Sequence, residues 1–152
     1  MTGLDEIRAM IAGGRRPPMM ELLDIDLVEI DKGHVVFEAT PGASHYNPLG
    51  IVHGGFAATM LDSACGLAAS SATEVPMTCV TLEIKISYQA ALSAHTGRVR
   101  AIGRLISLGR RVAFTEARLV DEAERLCATA TSTLLVSERH RTREVSAGEE
   151  CR

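Results

Sequence analysis

The stretch Asn47-Pro48-Leu49-Gly50-Ile51-Val52-His53-Gly54-Gly55 runs without a break into the apolar segment Phe56 to Ser71, whose single charge is Asp62. Pro48 and Gly50 mark a loop, and the glycine pair closes it. From Gly54 to Ser71, small and apolar residues lie all round the helical wheel and leave no polar face for water. The pattern predicts a long helix buried on most sides, opened by a polar loop. An isolated carboxylate in such a helix is costly unless it is paired, hydrogen-bonded or used. The start of the helix also offers free backbone N–H groups, which suit a developing negative charge. Together these features suggest an acyl-transfer site.

Outward from the helix, the chain alternates as strands do. Leu27 to Ile30 and His34 to Thr40, joined by Asp31-Lys32-Gly33, read as a first hairpin. After a break at Thr73 to Pro76, Thr78 to Tyr88 forms a strand. Its pattern sets Val80, Leu82, Ile84 and Ile86 on one face and Cys79, Thr81, Glu83, Lys85 and Ser87 on the other. Gly97 to Ser107, Arg111 to Val120 and Arg125 to Val136 follow, separated by turns, as three consecutive antiparallel strands. A helix apolar on every side needs a sheet curled around it. The fold class expected is therefore α+β: a hotdog fold, a long central helix wrapped by a curved antiparallel sheet. Ahead of it, Leu4 to Ala12 has helical spacing, ended by Gly13-Gly14 and Pro17-Pro18.

The 152 residues make one domain. It divides into an N-terminal helix and linker (1–20), the hotdog domain (21–137) and a charged tail (138–152) expected to fray. Hydrophobic residues make up 46% and aromatics only 3%, so Val, Ile, Leu and Ala must fill the core. A net charge of −3 gives no basic excess, which argues against nucleic acid as a partner. The four cysteines, Cys65, Cys79, Cys127 and Cys151, show no paired spacing and suit a reducing compartment. The N-terminus lacks the features of a signal peptide, and the apolar run is too short and too rich in Ala, Ser and Gly to span a membrane. A cytoplasmic protein is expected. His34, His45, His95 and His140 are scattered without ligand spacing, so no metal is expected. With no phosphate-binding loop or dinucleotide fingerprint, no cofactor is expected either.

The pattern N-x-x-G-x-x-H-G-G followed by an acid, here Asn47, Gly50, His53, Gly54, Gly55 and Asp62, resembles the phenylacetate-pathway type of hotdog acyl-CoA thioesterase. Thr81-Leu82-Glu83-Ile84-Lys85-Ile86-Ser87-Tyr88 is similar to that family's central strand. Gly109 to Phe114 and Ala128 to Thr133 match it further. The resemblance implies hydrolysis of an acyl-CoA to a free acid and coenzyme A. It also implies a homodimer whose two sheets join, or a homotetramer of two such dimers. In such an assembly the oxyanion donor and the carboxylate come from different subunits, and a monomer is inactive.

Carried onto this chain, the resemblance makes Asp62 the nucleophile or the general base, with a structural ion pair as the plain alternative. The Gly54 N–H polarises the thioester oxygen, unless the glycines merely make a tight turn. Asn47 holds the water or carbonyl through its amide. His53 orients the loop by hydrogen bonding or contacts the thioester, rather than acting as base, and Gly55 joins the substrate-binding set. The Thr81 hydroxyl orients the nucleophile or water, or is simply a β-branched strand residue. Arg110 and Arg111 meet the phosphates of coenzyme A, or are solvated surface charge. An enoyl-CoA hydratase on the same fold and a non-catalytic acyl-CoA sensor are the rival readings. The acyl group stays open between aryl and medium-chain types.

Overall fold

The computed structural model describes residues 1–138. Helix α1 (Gly3–Ala12) starts at a capping box, in which Thr2 and Asp5 satisfy each other's backbone N–H groups. It packs against a later helix. Gly3 lies so close to α3 (Gly54–Ser71) that an added Cβ would fall 2.0 Å from the Ser70 carbonyl oxygen. A short helix α2 (Pro18–Leu22) follows and buries Met20. Strands β1 (Ile25–Asp31) and β2 (His34–Ala39) form the expected hairpin, turning at Gly33 with φ +72°.

The remaining strands are β3 (Met77–Tyr88), β4 (Val99–Leu108), β5 (Val112–Asp121) and β6 (Leu126–Glu138). They complete one antiparallel sheet in the order β1-β2-β4-β5-β6-β3. Helix α3 carries the chain from β2 across the sheet, so β3 pairs with β6 at the far edge. That placement is not legible in local pattern. Strand β6 runs to Glu138, the first residue of the expected tail, and the rest of the tail lies outside the described residues.

Helix α3 packs against all six strands. Phe56, Ala57, Met60, Leu61, Ala64, Cys65, Ala68 and Ala69 form a stripe that is fully buried on the sheet. The opposite face, with Thr59, Asp62, Ser63 and Ser70, is half-buried rather than sealed. Small residues bring the layers close. An added Cβ at Gly103 on β4 would sit 2.3 Å from the Ala64 carbonyl oxygen. With Leu, Val, Ile and Ala lining both layers, the core forms without tryptophan.

The expected alternation of β3 fails at one point. Thr81 pairs with Leu134, but Glu83 pairs with Thr133, so Leu82 is an extra residue in a β-bulge. Ahead of the bulge, Cys79 and Thr81 face inward while Val80 stays 51% exposed; Leu82 itself is 60% exposed. Beyond it, Ile84 and Ile86 pack on the core while Glu83 and Lys85 face outward. A one-residue insertion inverts the facing of everything on one side of it. Thr81 therefore lies on the helix side, not on the polar face the alternation assigned to it.

Candidate active site

The loop that opens α3 is tied by its own polar groups. Asn47 Oδ1 accepts the N–H of Leu49 at 2.9 Å and that of Ile51 at 3.4 Å. The Asn47 N–H donates to the Ile51 carbonyl at 2.8 Å, and Gly50, at φ +78°, donates to the Asn47 carbonyl at 3.0 Å. A left-handed residue is required at that turn, and glycine adopts it without strain. The amide oxygen is thus committed to the loop. The two N–H donors of the same amide have no partner among the described residues and are available to a ligand.

His53 is the N-cap of α3. Its Nδ1 accepts the Gly55 N–H at 2.8 Å, and its backbone N–H donates to the His45 carbonyl at 2.7 Å. With Nδ1 accepting, the proton of the neutral ring sits on Nε2. Taking a proton at Nδ1 would break the cap. The Gly55 N–H is thereby spent on His53. Glycine is needed there because a Cβ would lie 2.9 Å from Nδ1. The Gly54 N–H, one of the orphan donors of the first turn, has no partner among the described residues.

Two residues that the motif gave no role complete this corner. The Tyr88 hydroxyl, at the end of β3, donates to the Gly54 carbonyl at 2.9 Å. The peptide it polarises is the one whose N–H caps onto His53. His45 stacks on Phe56 with ring centroids 4.4 Å apart and accepts the Gly42 N–H at Nδ1, 3.0 Å away, bracing the loop from below. Beneath Gly54 lies a cavity of about 290 Å³. Asn47, His53 and Tyr88 stand at its polar side, and Val52, Ala57, Leu92, Leu119 and Ala128 make apolar walls. No Asp, Glu, Lys or Arg lines it. Only the pairing of β3 with β6 brings Tyr88 to Ala128 and so builds this wall, which is why local sequence pattern does not reveal it.

The carboxylate is elsewhere. Asp62 is half-buried on α3, and the Thr81 hydroxyl donates to its Oδ1 at 2.8 Å. Its second oxygen has no hydrogen-bond partner among the described residues. Asp62 stands about 12 Å along the helix axis from Gly54 at the α-helical rise, and neither Asp62 nor Thr81 lines the cavity. Within one chain the carboxylate and the Gly54 N–H do not converge on a common atom. Arg110 and Arg111, exposed at the β4–β5 turn, are farther still. The Arg111 carbonyl bonds Val136 at the end of β6 opposite Ala128, about 26 Å away at the rise of a strand.

Near Asp62, burial pushes the Cys65 thiol up to about 11, so it stays protonated and behaves as a small apolar group. Among the described residues, no group of three or more His, Cys, Asp or Glu is placed to hold a metal ion. His140 and Cys151 lie outside those residues. No helix among them is long and apolar enough to cross a membrane.

A buried helix wrapped by one curved sheet, with a capped glycine turn at the helix start, defines a hotdog-fold protein. The family model described as the thioesterase superfamily matches residues 49–128, and the chain belongs to that family, in its phenylacetate-degradation type. It is similar to the 1,4-dihydroxy-2-naphthoyl-CoA hydrolase of Escherichia coli, with 32% identity over 135 residues, covering 88% of this chain and 93% of that one. Among solved structures it resembles a mutant of the phenylacetic acid degradation protein PaaI of Thermus thermophilus. That match has 31% identity and a TM-score of 0.71, covering 78% of this chain and 98% of that one. It also resembles smu.793 of Streptococcus mutans bound to acetyl CoA, at 27% identity and a TM-score of 0.69, covering 76% of this chain and 91% of that one. The chain is a thioester hydrolase by family.

Proposed function

We propose that this protein hydrolyses the thioester of an acyl-CoA whose acyl group is uncharged, at a site shared between two copies of the chain. The observation that carries the reading is the uncommitted Gly54 N–H at the N-terminus of α3, at the mouth of an apolar cavity. A carbonyl oxygen placed there receives a donor where negative charge develops, an effect worth about 3–4 kcal/mol of barrier in other hydrolases. The free Asn47 amide donors sit in the same corner. The acyl group enters the cavity, whose walls carry no fixed charge to neutralise a second carboxylate.

Asp62 then attacks the carbonyl or takes a proton from the attacking water, with Thr81 fixing one of its oxygens. In either route the thiolate of coenzyme A leaves and takes up a proton; where Asp62 attacks, water then cleaves the resulting mixed anhydride, releasing the acid and restoring the carboxylate. The second copy closes the gap between carboxylate and donor. Strand β3 is a 12-residue edge with unpaired backbone and exposed Val80 and Leu82, a surface that invites another strand. Antiparallel pairing of β3 with its copy, in a register that sets Thr81 opposite the partner's Tyr88, brings Asp62 of one chain to Gly54 of the other. The same pairing brings Arg110 and Arg111 toward the partner's site, where their planar forks suit the phosphates of coenzyme A.

The test is thiol release from a panel of acyl-CoAs, aryl, medium-chain and dicarboxylic. Uncharged acyl groups should turn over and dicarboxylic ones should not. Asp62→Asn, nearly isosteric, should lower kcat by at least about a hundredfold with the fold intact. A folded variant with wild-type turnover would remove Asp62 from the chemistry. Addition of water to the double bond of an enoyl-CoA, with the thioester intact and no thiol released, would favour the hydratase. Replacing both Arg110 and Arg111 with Ala should raise KM for acyl-CoA and leave pantetheine thioesters, which lack the nucleotide, nearly unchanged. Equal losses on both substrates would assign these arginines to the fold.

A further inference from the structure

The bulge at Leu82 is what turns Thr81 toward Asp62, and one side chain outside the motif holds that bulge. Ser132 on β6 is 4% exposed, and its hydroxyl donates to the Glu83 carbonyl on β3 at 2.9 Å. Glu83 is the residue at which the β3–β6 register resumes after the extra Leu82. A bulge disrupts the ladder and leaves backbone groups in need of partners. Here a buried hydroxyl from the facing strand supplies one to Glu83. Ser132 also sits directly opposite Ile84, the first residue beyond the bulge to face inward again.

We propose that Ser132 is a positioning residue: by clamping the β3 bulge at Glu83 it fixes the inward setting of Thr81, and through Thr81 the orientation of the Asp62 carboxylate. The inference rests on the reading of Asp62 as the group that attacks or activates water. The chain of contacts is short and polar throughout: Ser132 Oγ to Glu83 O, the bulge, then Thr81 Oγ1 to Asp62 Oδ1 at 2.8 Å. Without the clamp, the strand relaxes toward plain alternation. Plain alternation with Ile84 and Ile86 held inward puts Thr81 on the outer face, away from Asp62. Ser132 does not line the cavity, and its hydroxyl bonds the strand rather than Asp62, so its effect passes through the strand.

A neighbour provides the control. Thr115 on β5 is the register partner of Ser132, equally buried, and its hydroxyl makes no hydrogen bond of normal geometry among the described residues. Thr115→Val removes a hydroxyl from the same layer without touching the bulge.

The experiment compares Ser132→Ala with Thr115→Val, each alone and combined with Thr81→Ala. Ser132→Ala should lower kcat roughly tenfold, within the usual coupling between residues in one network, and leave KM within about twofold. In the Thr81→Ala background the same change should cost nothing further, because the group it positions is gone. Thr115→Val should leave kcat unchanged. A loss from Ser132→Ala that is the same with and without Thr81, or no loss at all while Asp62→Asn is inactive, overturns the proposal and leaves the thioesterase reading intact. A crystal structure of Ser132→Ala decides the point independently of activity. The Thr81 hydroxyl should lie beyond hydrogen-bond distance of Asp62; an unaltered contact overturns the clamp. If the wild type releases no thiol from any acyl-CoA, the functional reading falls, and the crystal structure still tests the clamp.

Discussion

Asn47 divides its side chain between two tasks. Its oxygen holds the N–H groups of Leu49 and Ile51, and its NH2 has no partner among the described residues. Two substitutions separate them. Asn47→Asp keeps an oxygen for the loop and removes the donors, so it should lower kcat by about tenfold or more, the scale of a lost transition-state donor, with little change in melting temperature. Asn47→Ala removes both and should also destabilise the fold by roughly 1 kcal/mol, the worth of a broken hydrogen-bonded turn, seen as a lower melting temperature. Kinetics and thermal unfolding on the two variants check this. If Asp and Ala lose stability equally, the oxygen does not hold the loop. The motif singles out Asn47, but not which of its atoms is free. That division depends on a turn geometry that the letters Asn-Pro-Leu-Gly leave open.

At the scale of elements, what is readable and what is not follow one rule: patterns that depend on local periodicity are visible, and those that depend on a single inserted residue are not. The Ala-rich run of α3 and the turn at Gly33 are local, and both stand where the sequence puts them. The bulge at Leu82 is not, because β-branched and apolar residues continue through it. The motif therefore picks out Thr81 through its neighbours, while simple alternation puts it on the wrong face. Likewise, Gly103 looks like a weak point inside a strand, and only the packed structure gives its reason. It is where β4 meets the backbone of α3, with an added Cβ only 2.3 Å from the Ala64 carbonyl oxygen. Backbone cannot move aside as a side-chain tip can. Gly103→Ala should therefore destabilise the fold by about 1–3 kcal/mol, the usual cost of overpacking, despite the better strand propensity of alanine. Urea denaturation checks it; a variant as stable as wild type would show that helix and sheet can separate freely.

At the scale of the whole molecule, one chain keeps the two groups of candidate residues apart. The donor corner at Gly54, Asn47 and Tyr88 lies at one end of α3, and the carboxylate lies two turns farther on, tied to the middle of an uncovered edge strand. If two copies pair through β3, each dimer has two complete sites, and each site takes its donor corner from one chain and its Asp62 from the other. That geometry makes a quantitative claim. Asp62→Asn and Asn47→Asp homodimers should each be impaired at every site. When equal amounts are mixed and allowed to exchange subunits, half the dimers are mixed. In each mixed dimer both lesions fall in one site, and the other site is wild type throughout. Restored activity should approach about a quarter of the wild-type value at full random exchange of a two-fold dimer. A site within one chain would give no recovery above the mean of the two parents, because every site would carry one lesion or the other. Subunit exchange is followed separately with a mass or fluorescent tag, so that absence of recovery with exchange complete decides against the shared site.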